Sequence, residues 1–189
     1  QAYQARDTKW AGGRITLSNT RNFIPTLPIQ AIHAAVDRSS TEGTIKASKP
    51  FYLLGRNVIG AHFTIEKGEV VSYQAEQGKE ALDAFFSIDE GAKRVSEICL
   101  ADDDTIESRY ISSSIHPHWA KDITSSIVFG GFSLDNLTTQ QNEEDVETTN
   151  LNQSLVRLEV PIGDRHLSLS LQDEAGNDHL LIEEGVFID

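Results

Sequence analysis

Short β-rich runs, the first four of them bounded by Gly, Pro or Asn, alternate along this chain with a single convincing helical segment. The strand candidates, in chain order, are 43–47, 51–54, 58–65, 70–75, 96–101, 126–131, 154–160, 167–171 and 180–182. Runs of this length and composition, bounded by turn residues, are typical of strands. The pattern therefore predicts an α+β fold that is dominated by strands, in mixed or antiparallel sheets around a small helical layer.

The helical segment begins after Gly78, where the spacing of apolar residues changes. Four of them fall at i, i+1, i+4 and i+5, on one face of a helix: Ala81, Leu82, Phe85 and Phe86. Asp89 is placed to cap a further short helix over 90–95. We expect these segments to form the hydrophobic core and the layer that covers it, rather than a functional site.

An acidic composition restricts the classes of partner. The 189 residues carry a net charge of −13, which is uneven, because residues 1–60 have eight basic and three acidic side chains whereas 61–189 sum to −18. Nucleic acids and anionic membranes repel such a surface, so neither is expected as a partner. No run approaches the roughly 18 apolar residues of a membrane span. The first 25 residues are too polar for a signal peptide, so a cytoplasmic location is predicted.

The length suits one domain over 1–189. Within it, residues 138–152 contain Val146 and Leu151 as their only large apolar side chains. This composition predicts a flexible acidic loop.

Composition and spacing alone indicate no active site. The six histidines form no metalloprotease motif, and the only close pair, His116 and His118, has no carboxylate until Asp122. A surface or turn role is favoured for that pair, with metal binding as the alternative. The single cysteine, Cys99, lies in an apolar strand pattern beside acidic residues, where its thiol should be inert.

An ordered series of segments nevertheless carries a resemblance. The series reads 10–14 (WAGGR), 27–38 (LPIQAIHAAVDR), 41–44 (TEGT), 49–50 (KP), 68–71 (GEVV), 89–94 (DEGAKR), Glu97 and 154–163 (SLVRLEVPIG). In order and spacing it resembles the C-terminal, metal-carrying half of the thermophilic metallo-aminopeptidases of the aminopeptidase T type. The resemblance implies the fold of that half, and it implies that the family's N-terminal α/β half is missing.

The same resemblance points to changed site residues. The family's second segment reads Leu-Pro-Thr-Glu-Glu-Val-Phe-Thr, and its paired glutamates provide a metal ligand and a general base. Gln30 and Ala31 occupy those two positions here, and neither can bridge two cations or take a proton from water. Glu97 matches a third carboxylate ligand of the family.

Farther along, the family has a histidine, a tyrosine seven residues later, and a His-x-Asp pair. Without gaps these positions fall at Ser125, Phe132, Arg157 and Glu159. No histidine occurs between 119 and 165, and no tyrosine follows position 110. Of the six metal ligands that the resemblance implies, only Glu97 is kept, with Glu159 where an aspartate belongs. No catalytic residue, metal or cofactor is therefore expected.

Arg157 would place a fixed positive charge where the family binds a dication, and it could pair with Glu97 or Glu159. Such a pair would keep the shape of a cleft that evolved for extended peptides. The resemblance thus implies a non-catalytic peptide-binding protein, with these candidate site residues: Gln30, Glu97, Ser125, Phe132, Arg157 and Glu159. The expected partners are a peptide, such as the precursor peptide of a modified-peptide natural product, and a second copy or a homologous chain that covers the cleft.

Two alternatives stay open. Proteins related to this family include iron-dependent ring-cleaving dioxygenases, so a metal-dependent hydrolase or dioxygenase with a rebuilt site could use His116, His118 and Glu97. The chain could also be a structural subunit of a larger complex.

Overall fold

The computed structural model describes residues 1–12, 15–16, 20–23, 31–103, 124–138, 150–173 and 175–188. The strands in these ranges are β1 (Ile15–Thr16), β2 (Asn22–Phe23), β3 (Ala31–Ala35), β4 (Gly43–Lys46), β5 (Phe51–Leu53), β6 (Arg56–Val58), β7 (His62–Glu66), β8 (Glu69–Gln74), β9 (Val95–Ala101), β10 (Ser126–Gly130), β11 (Arg157–Pro161), β12 (Leu169–Gln172), β13 (Asp178–Glu183) and β14 (Val186–Phe187). Helix α1 spans Lys79–Phe86, and short 3-10 helices span Glu90–Lys93 and Leu134–Asn136.

A four-stranded antiparallel sheet with the order β11-β10-β9-β3, the central sheet, organises the molecule. Side chains alternate across its strands, so the sheet has two faces of different character. Its core face presents these buried apolar side chains: Val36, Ile127, Phe129, Leu158 and Val160. Its polar face carries these residues: His33, Glu97, Cys99, Arg157 and Glu159.

The core face packs against helix α1 and the three-stranded sheet β4-β7-β8. Phe63, Phe86 and Phe129 meet there, with ring centroids 5.2 to 6.2 Å apart. Tilted and edge-to-face contacts at such distances add to the free energy gained by burying the rings. One hydrophobic core thus joins the central sheet to the helical layer, and the predicted α+β class is confirmed.

Helix α1 buries the four residues that its spacing predicted, and it ends at Phe86, with Ser87 as its C-cap. The Asp89 side chain accepts a hydrogen bond from the Ala92 N–H, at 2.7 Å, and so caps the first 3-10 helix as expected. This 3-10 helix ends at Lys93, two residues before the predicted end, because β9 begins at Val95.

One strand prediction needs correction, and strands β1, β2, β3 and β14 were not predicted. The run 58–65 is not one strand, because Gly60 adopts a φ of 65° and separates β6 from β7. Strand β3 was not predicted at all. Its sequence, AIHAA, is rich in alanine, which has a low strand propensity, and it becomes a strand by pairing with β9 over its whole length.

The predicted acidic loop is only partly described, since residues 139–149 lie outside the described ranges. Its C-terminal end belongs to the packed molecule, because Leu151 and Asn152 are buried. The Asn152 amide donates hydrogen bonds to the carbonyl oxygens of Gly91 and Gly130, at 2.8 and 2.7 Å. In the part of the chain that the structure describes, no helix is long and apolar enough to span a membrane.

Candidate functional site

The register of the central sheet brings two glutamates to the same level of its polar face. Glu97 on β9 and Glu159 on β11 both pair with Val128 of the intervening strand β10. Arg157 lies two residues before Glu159 and therefore on the same face. Val128 lies between the two glutamates and offers them no polar group. The guanidinium of Arg157 therefore lies beside both carboxylates.

Arg157 joins both carboxylates. Its Nη2 lies 2.6 Å from Glu97 Oε2 and 2.9 Å from Glu159 Oε1, and its Nε donates to Glu159 Oε1 at 3.2 Å. Its Nη1 donates to the Gly131 carbonyl oxygen at 3.2 Å. Burial alone would lower the pKa of the guanidinium, but the charges of Glu97 and Glu159 outweigh this effect and hold that pKa above its usual value. The cation is therefore fixed and permanently charged.

The loop after β10 supplies a second contact of Glu97. Gly130 adopts a φ of 96°, and a Cβ atom there would overlap the Val156 carbonyl oxygen, so glycine is required where the chain leaves the sheet. Past this point the Ser133 N–H donates a short hydrogen bond to Glu97 Oε1. A side chain that is fully buried and charged is thus held by one main-chain donor and one guanidinium.

The second oxygens of the two carboxylates are bound differently. Glu97 Oε2 forms the 2.6 Å ion pair with Arg157, whereas Glu159 Oε2 is buried and has no hydrogen-bond partner among the described residues. Buried polar atoms of this kind are rare in folded proteins and call for an explanation in terms of function or of a bound molecule.

His33 on β3 also belongs to the cluster, although no sequence motif identified it. Its Nδ1 lies 3.1 Å from Asn136 Oδ1 and 4.0 Å from Glu97 Oε2, while its Nε2 lies 3.3 Å from Asp135 Oδ2. Burial lowers the pKa of the imidazole, but the hydrogen bond to Asp135 and the charges of Asp135 and Glu97 outweigh it, so the pKa is raised. One signal was available in the sequence, because His33 falls at the phenylalanine of the family's Leu-Pro-Thr-Glu-Glu-Val-Phe-Thr segment.

The other candidate residues are not all at this cluster. The Ser125 hydroxyl exchanges hydrogen bonds with the main chain of Ala101, 3.1 Å each, at the far end of β10. Phe132 packs against the small buried cluster of Ala5, Ala35 and Leu151, one residue from Ser133. Three predicted residues, Gln30, His116 and His118, lie outside the described ranges.

Cys99 lies next to Glu97 on the polar face, where it pairs with His33 across the strands. Its thiol is buried, and this burial, together with the charges of Glu159 and Glu97, raises its pKa to about 12. A thiol that stays protonated at neutral pH is a poor nucleophile, so Cys99 is a packing residue.

The cluster does not fit the pair of metal ions that the resemblance implies. The guanidinium of Arg157 touches both carboxylates that could hold a cation, and a dication beside it would be repelled. Within the described ranges, no group of three or more His, Cys, Asp and Glu side chains is arranged to hold a metal ion.

Comparison with known proteins agrees with the resemblance that the sequence shows. The family described as thermophilic metalloprotease (M29) matches residues 2–187. Aminopeptidase T of Thermus thermophilus is 28% identical over 95% of this chain and 44% of its own length, and aminopeptidase 2 of Geobacillus stearothermophilus is 24% identical over 93% and 43%.

The fold agrees with this relationship. A solved structure described as wild-type AmpT from Thermus thermophilus superposes with a TM-score of 0.89 at 26% identity, and the match covers 100% of this chain and 49% of that one. The chain spans less than half the length of the curated relatives that it matches. By its sequence and its fold, this chain belongs to the M29 family of thermophilic metalloproteases.

Proposed function

We propose that this chain is a non-catalytic, peptide-binding member of the family, in which an ion pair takes the place of the metal pair. One observation carries the proposal: the Arg157 Nη2 atom lies 2.6 Å from Glu97 and 2.9 Å from Glu159. A metal-dependent hydrolase needs cations that lower the pKa of water and polarise the substrate. A guanidinium is always protonated and has no open coordination position, so it does neither.

The proton acceptor is also changed. At the two glutamate positions of the family motif the chain has Gln30 and Ala31, and neither side chain accepts a proton at neutral pH. Both carboxylates of the cluster are engaged by Arg157. The cluster therefore keeps charge and shape without a group that would activate water.

Peptide binding is the activity that such a site retains. The relatives are named aminopeptidases, so a peptide is the class of ligand that their name implies. The net charge of −18 over residues 61–189 favours a basic or neutral peptide over an acidic one. We place this chain as an accessory protein that holds a precursor peptide for the enzymes of a modified-peptide natural-product pathway, in the cytoplasm.

Two exposed apolar side chains lie next to cluster residues in the sequence. Leu134 and Leu155 are 74% and 90% exposed, more than any other large apolar side chain in the described part of the chain. Leu134 directly precedes Asp135, and Leu155 lies two residues before Arg157. Exposed leucines beside a polar site are suited to side chains of a peptide, or to a second copy or homologous chain that covers the region.

Calorimetric titration with a panel of neutral, basic and acidic peptides tests the proposal. Binding of neutral or basic peptides is expected, together with no release of amino acids from them in the presence of added Zn²⁺, Co²⁺ or Mn²⁺. Arg157→Ala should weaken binding, whereas Arg56→Ala, which removes an exposed arginine paired with Glu80, should not. Indifference to every peptide would refute the proposal, and metal-dependent hydrolysis would favour an enzyme with a rebuilt site.

A further inference from the structure

A broad polar groove opens beside the first 3-10 helix. Its volume is about 840 Å³, and its walls come from that helix, the end of α1, the start of β8, Arg38 and residues 150–153. Its large apolar lining residues, Phe86 and Leu151, are both buried. Pockets of this size that bind small organic molecules are mostly apolar. The lining therefore favours a polar ligand that is larger than a single ion.

The walls of the groove are tied to one another. The Asn152 amide donates a hydrogen bond to the Gly91 carbonyl oxygen at 2.8 Å, which joins residues 150–153 to the 3-10 helix. The Arg38 N–H donates to the Asn150 carbonyl oxygen at 3.0 Å, which joins them to the end of the central sheet. A groove whose walls are already fixed loses less conformational entropy when a ligand binds.

Two of the three carboxylates in the lining are already satisfied. Glu69 Oε2 lies 2.8 Å from Arg94 Nη2, so these two charges form an ion pair. Asp89 accepts hydrogen bonds from one hydroxyl and two main-chain N–H groups, at 2.7 to 3.0 Å. Burial would raise the pKa of its carboxyl, but these donors outweigh burial and lower that pKa. The third carboxylate, that of Glu90, is exposed to solvent.

Two of the three cations in the lining remain free. Arg38 is exposed and Lys93 is half-buried, and neither forms an ion pair with a carboxylate in the described part of the chain. Asp37, next to Arg38, is instead held by Ser39 and Asn150, at 2.7 to 2.9 Å. The groove thus offers two available cations on a chain whose net charge is −13.

We infer that this groove binds an acidic segment of a polypeptide through Arg38 and Lys93. Carboxylates of the segment form charge-assisted hydrogen bonds with the guanidinium and ammonium donors. The exposed Gln153, also in the lining, adds an amide for the main chain of the ligand. A nucleic acid is disfavoured, because its dense negative charge is repelled by the rest of the surface. None of the described residues of the charged cluster lines the groove, so this site is separate from the one in the proposed function.

Calorimetry with two matched peptides tests the inference on the whole chain. Both peptides are N-acetylated, C-amidated glycine–serine sequences, one with several glutamates and the other with glutamines at the same positions. The glutamate peptide should bind at least about tenfold more tightly, the sum of a few exposed ion pairs. This advantage should shrink between about 50 and 300 mM NaCl, because salt screens exposed charges. Equal affinities at low salt would overturn the inference.

Paired variants with the same change in charge locate the binding. Arg38→Gln with Lys93→Gln should abolish the preference for glutamates, whereas Lys46→Gln with Arg56→Gln, at exposed positions on β4 and β6, should keep it. Arg38→Glu with Lys93→Glu should make a lysine peptide bind better than the glutamate peptide, a gain that unfolding cannot mimic. Loss of the preference in the control pair as well would assign it to overall charge and overturn the groove.

The outcome is separable from that of the proposed function. Binding of neutral peptides reports on the charged cluster, and it should be unchanged when Arg38 and Lys93 are replaced. Loss of neutral-peptide binding with glutamate binding retained would overturn the proposed function and support the groove. Displacement of the glutamate peptide by inorganic phosphate of equal affinity would show a site for any anion and so overturn the assigned ligand.

Discussion

The two faces of the central sheet come from alternate residues of the same strands, yet one face is apolar and the other carries charged side chains. On β11, Leu158 and Val160 enter the hydrophobic core, while Arg157 and Glu159 between them form the charged cluster. The core face is apolar and well packed. The polar face buries charges, and one of its carboxylate oxygens, Glu159 Oε2, has no hydrogen-bond partner in the described part of the chain.

This difference separates the residues that stabilise the fold from those of the candidate site. The core face explains how the chain retains the fold of its relatives at 26% identity, since similar apolar volume is enough to keep a fold. The polar face breaks the rule that buried polar groups are satisfied, and such exceptions are expected at functional sites. Variants on the two faces should therefore differ in what they change.

The largest effect is expected on the core face. Phe129→Ala removes a fully buried ring that contacts Phe63 and Phe86, and it should lower the free energy of unfolding by about 3–5 kcal/mol. Chemical denaturation measures the change. Leu155→Ala, at a side chain that is 90% exposed, is the control and should change stability by less than about 0.5 kcal/mol. Similar losses for both variants would contradict the assignment of the core.

The second-largest effect is expected on the polar face. Arg157→Met leaves Glu97 buried without its cation and should cost about 3 kcal/mol of folding free energy. Adding Glu97→Gln removes the unpaired charge, so the double variant should regain part of that loss. Denaturation of the two single variants and the double variant gives the coupling energy. Strict additivity would show that the ion pair does not form in solution.

A smaller effect concerns pH. The pKa of His33 is raised on folding, mainly because Asp135 and Glu97 outweigh the effect of burial. The protonated imidazole therefore stabilises the folded state fully below its ordinary pKa of 6.5, and this contribution is lost as the pH rises through the folded value. Free energies of unfolding measured from about pH 5 to 8 should fall less in His33→Gln and Asp135→Asn than in the native sequence. Equal slopes in all three proteins would contradict a protonated His33.

The smallest effect is expected at Cys99. Burial raises the pKa of its thiol to about 12, so a thiol reagent should label the native protein only as it unfolds. Labelling with and without denaturant measures this protection. Fast labelling of the native state would show that the polar face is open to solvent as far as Cys99.

The sequence predicted the fold more fully than the site, and the reason is physical. Local patterns of apolar residues identified α1 and most strands, because burial in this core follows the local period. Strand β3 escaped prediction because its alanines carry little local signal and its pairing partner lies more than sixty residues away. The histidine at position 33 can be read from the sequence. The strand that directs its side chain toward Glu97 could not be predicted.

The charged cluster was predicted only in part. The pairing of Arg157 with Glu97 or Glu159 followed from the resemblance, and the structure confirms contacts with both. The hydrogen bond from the Ser133 main chain and the contact between His33 and Asn136 were not predicted, because both depend on the path of the chain over residues 131–136. Such a path is set by tertiary packing around Gly130 and cannot be read from local spacing.

Metal analysis of the freshly purified protein, before and after titration with Zn²⁺, tests the central claim most directly. If the guanidinium of Arg157 occupies the place of the metal pair, the protein should contain no stoichiometric zinc, iron, cobalt or manganese. It should also bind no Zn²⁺ at Glu97, so the native sequence and Glu97→Gln should give the same titration. One or two tightly bound metal ions per chain that depend on Glu97 would contradict the account.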